Sequence, residues 1–144
     1  SKTVVDYDER GGQKYVTYGD DGTINNSGEI TCDEYGNYLS ETFYDGNGVC
    51  YLERSYVYEY DENNNPVKYS HDENADGNVD LIKTLEYDEF GREVKTSYDE
   101  NADGKDDTIY HYIYDTNGKN TYTGYDNNGD GTIDEFQDAG PHAI

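Results

Sequence analysis

The stretch Tyr110-His-Tyr-Ile-Tyr-Asp-Thr-Asn-Gly-Lys-Asn-Thr-Tyr-Thr-Gly-Tyr-Asp126 decides how the rest of this chain is read. Aromatic residues at 110, 112 and 114 alternate with His111 and Ile113, the period of a β-strand, and a second run rich in Thr and Tyr follows from Asn120. Between them Gly118 stands four residues after Tyr114, where a short turn needs a residue that accepts positive φ. The segment is therefore predicted as a β-hairpin. It leads into Asp126-Asn-Asn-Gly-Asp-Gly-Thr-Ile-Asp134, with oxygen-bearing side chains at alternate positions of a Gly-containing turn.

The acidic segment has two sisters, Asp72-Glu-Asn-Ala-Asp-Gly-Asn-Val-Asp80 and Asp99-Glu-Asn-Ala-Asp-Gly-Lys-Asp-Asp107, so Asp72, Asp99 and Asp126 stand 27 residues apart. Tyr60-Asp61, Tyr87-Asp88 and Tyr114-Asp115 keep the same step, and Tyr7-Asp8 and Cys32-Asp33 hold the equivalent places at steps of 25 and 28 residues. Eleven residues beyond each anchor comes an aromatic or its stand-in: Tyr18, Phe43, His71, Tyr98 and Tyr125. A fixed period of this kind marks a supersecondary unit stacked along the chain. The expected fold is all-β: five antiparallel β-hairpin repeats in a meander, period about 27 residues, forming an open elongated sheet or solenoid of roughly ten or eleven strands. Residues 1–138 are expected as a single repeat domain and 139–144 as a C-terminal tail that includes His142. Helix signals are essentially missing.

Ten basic residues against 33 acidic ones give a net charge of −23, which repels nucleic acid and anionic membrane surfaces and draws cations. Leu, Ile, Val and Phe make up about 15% of the chain, a fraction that at this charge ordinarily accompanies disorder. The 18 tyrosines argue for folding, because each can bury a ring while its hydroxyl stays wet. Period two places Tyr56, Tyr58 and Tyr60 on one face with Leu85, Tyr87, Tyr110, Tyr112 and Tyr114. Cross-strand pairs along such a ladder contribute about 0.2 to 1 kcal/mol each, and charges along the strands guard the sheet edges. No run is long enough to span a bilayer, so membrane insertion is not expected; the chain reads as a soluble segment whose targeting sequence, if any, is absent. Cys32 and Cys50 leave two readings open, a disulfide or two thiols in slots that other repeats fill differently. Strands in simple chain order put one strand between them, about 10 Å at ~4.8 Å per strand, too far for a bridge.

Leu85-Glu-Tyr-Asp-Glu-Phe-Gly-Arg92 resembles the Tyr-x-Tyr-Asp-x-x-Gly-Arg core of bacterial YD repeats of the RHS type, and Tyr58-Glu-Tyr-Asp61 and Tyr112-Ile-Tyr-Asp-Thr-Asn-Gly118 are similar to it. The resemblance implies a secreted or surface-associated β-hairpin array. Large members of that family wrap into shells around a cargo; five units are too few to close one, and the acidic loops are foreign to that family's core motif.

In the last acidic loop Asp126, Asn128 and Asp130 supply side-chain oxygens at positions one, three and five, Gly131 allows the sharp turn, Thr132 offers its carbonyl and Asp134 sits at position nine. This is the front half of an EF-hand-like loop, and it is similar to the calcium loops of dockerin and thrombospondin type 3 repeats. The sister sets are Asp72, Asn74, Asp76, Asn78 and Asp80, and Asp99, Asn101, Asp103, Lys105 and Asp107. Position twelve, where an EF-hand places a bidentate acid, holds Lys83, Tyr110 or Gln137, so affinities on the order of 10⁻⁴ to 10⁻³ M are expected. Ca²⁺ suits such a site better than Mg²⁺, which demands a tight octahedron and keeps its waters. Asp20–Asn25 and Asp45–Gly48 read as eroded copies. The bland alternative is that Asp, Asn and Gly simply make turns; recurrence in step with the hairpins argues for ions.

The tyrosine face has a second reading, a platform that stacks on a glycan or a surface protein, against which stands plain sheet packing. His71, in a tyrosine slot, and His111, in a strand, read as structural. No Ser-His-Asp spacing, phosphate-cradling glycine loop or zinc pair is present, and nothing selects two of the acids as a glycosidase pair. No enzyme is expected. The expectation is a calcium-binding, extracellular or cell-surface repeat module of spacer or adhesion type, a monomer or part of a longer array. The alternative is a carbohydrate- or protein-binding module that uses the tyrosine face.

Overall fold

The computed structural model describes residues 1–140. Eleven strands follow in order: β1 (Lys2–Tyr7), β2 (Gln13–Tyr18), β3 (Ile24–Cys32), β4 (Tyr38–Asp45), β5 (Cys50–Tyr60), β6 (Pro66–Asp72), β7 (Leu81–Tyr87), β8 (Glu93–Asp99), β9 (Thr108–Tyr114), β10 (Asn120–Asp126) and β11 (Glu135–Asp138). Sheet order equals chain order, so the expected all-β hairpin meander is the fold the chain adopts, as an open sheet. Among the described residues there is no helix, hence none long and apolar enough to cross a membrane.

The tight turns share one construction. At Asp8, Asp33, Asp61, Asp88 and Asp115 the anchor N–H donates to the carbonyl four residues on, and the N–H three residues on returns a bond to the anchor carbonyl. The anchor carboxylate then accepts two more backbone N–H groups, as at Asp33 from Tyr35 and Asn37, both 2.9 Å. The fourth residue bends left-handed: Gly36 has φ 82°, and Asn64 stands in for glycine at φ 64°. This is a type I turn closed by a bulge, which matches the right-handed strand twist.

The chain clusters into two compact units, Ser1–Val57 with His71–Asn78, and Tyr58–Ser70 with the chain from Val79. In the first, Gly28 of β3 pairs with Tyr15 of β2 and Phe43 of β4. A Cβ there would stand 2.6 Å from each ring, and the two rings come to 6.2 Å of one another above bare backbone. Glycine in a strand is thus covered by its aromatic neighbours. Cys32, in its tyrosine slot, is buried and Cys50 exposed, both as free thiols. They pair with Tyr38 and Tyr44 of β4, six positions apart along that strand, which adds about 20 Å of separation. A polar cluster fills one patch: Arg54 Nη2 lies 2.6 Å from Glu73, the Tyr56 hydroxyl donates to Glu41, and His71 stacks on Tyr56 at 4.7 Å.

In the second unit β8 is the most enclosed strand, with Thr96 and Ser97 buried beside Leu85 of β7 and Ile109 of β9. Tyr98, Tyr110 and Tyr125 meet edge to face at 5.7 and 5.2 Å, the arrangement that ring quadrupoles favour. Two anchor hydroxyls are not left in water. Tyr87 donates to the Pro66 carbonyl (2.8 Å) and Tyr114 to the Glu93 carbonyl (2.6 Å), each reaching back 21 residues to the residue that opens the preceding hairpin's second strand. Burial, with Glu93 nearby, raises both phenols above their ordinary pKa. Arg92 ties the same units: its guanidinium lies 2.7 Å from Asp88 and 4.6 Å from the Tyr114 ring centroid. Of the proposed tail, the Ala139 N–H donates to the Thr121 carbonyl; residues 141–144, with His142, lie outside the described residues.

Candidate metal centre

A sheet this thin buries little that is apolar. Among the described residues only Cys32, Leu85 and Ile109 are buried apolar side chains, whereas Asp72, Asp99 and Asp126 are 6%, 4% and 0% exposed. A carboxylate is costly to bury unless hydrogen bonds satisfy it, and each of these is seated by its own loop. Asp126 Oδ1 accepts the N–H of Asn128 and Asp130, both 3.3 Å, while Oδ2 accepts that of Gly131 at 2.7 Å. Asp72 takes Asn74, Asp76 and Gly77 in the same way, and Asp99 takes Asp103 and Gly104. Burial works against the charge of Asp126, but the amides of Gly131, Asn128, Asp130 and Gly129 outweigh it and hold the carboxyl below its ordinary range.

The alternate positions form a relay of acceptors. At position three, Asn74, Asn101 and Asn128 each accept the N–H of the position-five aspartate at 3.0 to 3.1 Å. At position five, Asp76, Asp103 and Asp130 accept the N–H of Asn78, Lys105 and Thr132 at 2.8 to 2.9 Å. The Asn78 backbone and side-chain N–H groups hold Asp76 below its ordinary pKa. At position nine the N–H of Asp107 and Asp134 closes the loop on the Tyr98 and Tyr125 carbonyls, both 2.7 Å. Their carboxylates reach back to the N–H of Glu100 and Asn127, both 2.8 Å. The first loop passes from one compact unit into the other: Asp72, Asn74, Asp76 and Asn78 belong to the first and Asp80 to the second.

Every acceptor in the relay is an oxygen type that hard cations take; Asp76, Asp103, Asp130, Asp107 and Asp134 each carry a second oxygen besides the one on a loop N–H, whereas Asp72, Asp99 and Asp126 engage both. Among the described residues no three His, Cys, Asp or Glu side chains are gathered in a metal-holding cluster; the donor sets expected from the spacing mix Asp, Asn and backbone carbonyls. The earlier acidic segments are built otherwise. Asp45 accepts the N–H of Asn47 and Val49 and closes the same tight turn as the anchors. Gly19 opens a similar turn closed at Thr23, with Asp21 accepting the Thr23 N–H. The signal was in the spacing, since Asp45-Gly-Asn-Gly48 has the anchors' aspartate-to-glycine step of three.

On the tyrosine face of the second unit, Tyr58, Pro66, Tyr69, Lys83 and Leu85 line an open hollow of about 340 Å³. No protein-family model matches this chain, and no curated protein matches it.

Proposed function

We propose that this chain is a calcium-binding structural repeat module, a rigid spacer or adhesion-type segment of a secreted or cell-surface protein, in which ions at the long loops are part of the fold. The observation that carries the reading is the excess of charge in those loops. Asn74, Asn101 and Asn128 do the hydrogen-bonding work of position three without charge, so turn-making alone does not require the acids at positions one, five and nine. Crowding three to five acids into nine residues of a chain at −23 costs stability that a divalent ion returns. Three bound ions add six positive charges and move −23 to −17. Asp72, Asn74, Asp76 and Asn78 form the first donor set, Asp99, Asn101, Asp103, Lys105 and Asp107 the second, and Asp126, Asn128, Asp130, Thr132 and Asp134 the third, Lys105 and Thr132 through their carbonyls. Each site held at 100 times its Kd adds about 2.7 kcal/mol to unfolding. Thermal melts in Ca²⁺ at about 100 times such a Kd, roughly 10 to 100 mM, are expected to lie well above melts in EDTA, with a calorimetric titration returning weak sites; superposed melts and no heat of binding would overturn the reading.

A second reading rests on the hollow of Tyr58, Tyr69 and Lys83, which offers ring faces and a cation to a glycan or a surface protein. Tyr69→Ala is then expected to abolish ligand capture with the melt preserved. Loss of the fold instead would make these rings packing alone.

A further inference from the structure

The loops at 99–107 and 126–134 touch through backbone. Position four is Ala in the first two long loops and Gly in the third, yet all three bend left-handed, φ 52° at Ala75, 53° at Ala102 and 64° at Gly129. The conformation therefore does not call for glycine. What differs is the neighbour: a Cβ on Gly129 would overlap the Asp106 carbonyl oxygen and stand 2.5 Å from its carbon. Asp106 immediately precedes Asp107, whose N–H closes the second loop on Tyr98 and whose carboxylate holds the Glu100 N–H. Gly129 lies between Asn128 and Asp130, whose N–H groups seat Asp126. The contact thus joins the closing end of one loop to the seat of the next, with no side chain between them to absorb a displacement.

We infer that these two loops are a coupled pair, in which ordering or loosening either one changes the other, and calcium at one raises the affinity of its neighbour. Only the calcium half of this rests on the proposed ion sites. Linkage makes the effect reciprocal, and couplings of this kind typically run to about five-fold or more.

The test uses the whole chain and residue-resolved NMR. Asp103 is exposed and its side chain accepts the Lys105 N–H, so Asp103→Ala loosens the second loop and spares the sheet. Without calcium, the Gly131 N–H in the third loop is expected to exchange about five-fold or more faster in this variant, while the Gly91 N–H in its tight turn is unchanged. With calcium, the midpoint read at Gly131 is expected to weaken by about five-fold or more. In a Gly129→Ala background, which forces the two backbones apart, Asp103→Ala is expected to leave Gly131 unaffected. Unchanged exchange at Gly131 in the single Asp103→Ala variant would overturn the coupling, whatever Gly129→Ala does to folding. A chain that binds no calcium but shows the exchange effect would instead sink the ion reading and keep the coupling between loops.

Discussion

Asp115 and Asp126 stand eleven residues apart, and each offers one oxygen to the N–H groups two and four residues ahead, at 2.8 and 3.0 Å in the tight turn and 3.3 Å twice in the long loop. From there they diverge. Asp115 is half-buried and its turn ends at a left-handed Gly118, φ 81°. Asp126 is fully buried, its second oxygen takes the Gly131 N–H, and the chain then runs on through further acceptors to Asp134. The same hydrogen-bonded unit makes both structures, and a turn alone needs one carboxylate. The long loop adds burial and two more acids, and those additions are what set it apart as a site.

That difference is open to measurement, most strongly by deleting the two kinds of aspartate. Asp99→Ala empties a buried position, leaves the Gly104 N–H without its acceptor and the Asp103 N–H with Asn101 alone, and is expected to cost about 2 to 3 kcal/mol. Asp115→Ala frees amides at exposed Asn117 and Lys119, where water replaces the carboxylate, and is expected to cost about 0.5 to 1 kcal/mol. Equal losses in urea melts would erase the distinction between the two turns. Gly91→Ala, placing a side chain at φ 75°, is expected to cost about 1 to 2 kcal/mol. Ala75 and Ala102 already tolerate that region in the long loops, so Ala102→Gly should shift the melt far less. Tyr114→Phe removes the bond to the Glu93 carbonyl and is expected to lower stability by about 1 kcal/mol; no change would mean the hydroxyl only fills space.

The smallest expected effect is in acid. Because the folded state holds Asp126 below its ordinary pKa, this carboxylate stabilises the fold fully above the ordinary carboxylate range, and the contribution is lost as pH falls through the lowered folded value. The stability gap between wild type and Asp126→Asn should therefore be widest near neutrality and narrow in acid. A gap that widens as pH falls would mean that the amides do not outweigh burial.

Much of this was legible because it is local. The strand–turn–strand alternation, the left-handed glycines with Asn64 among them, and the alternate oxygens of the long loops all follow from bonds between residues at most five apart, or seven and nine where Asp107 and Asp134 reach back. The Asp45 segment was misread because a glycine-rich acidic string suits either kind of turn until the strand register beside it is known. The anchor hydroxyls likewise looked solvent-facing, since nothing near Tyr87 or Tyr114 in the chain announces a carbonyl 21 residues earlier.

Sequence alone determined that this chain is a hairpin repeat built on tyrosine-rich strands and aspartate-seated turns rather than on an apolar core, since spacing dictates which backbone groups an aspartate can reach. Tertiary structure decided the rest: which tyrosine oxygens turn inward, how far apart the two thiols lie along β4, and why Gly129 faces the Asp106 carbonyl. Those outcomes depend on register and on how one hairpin is laid against its neighbour, distances that pairing across the sheet sets and linear spacing does not.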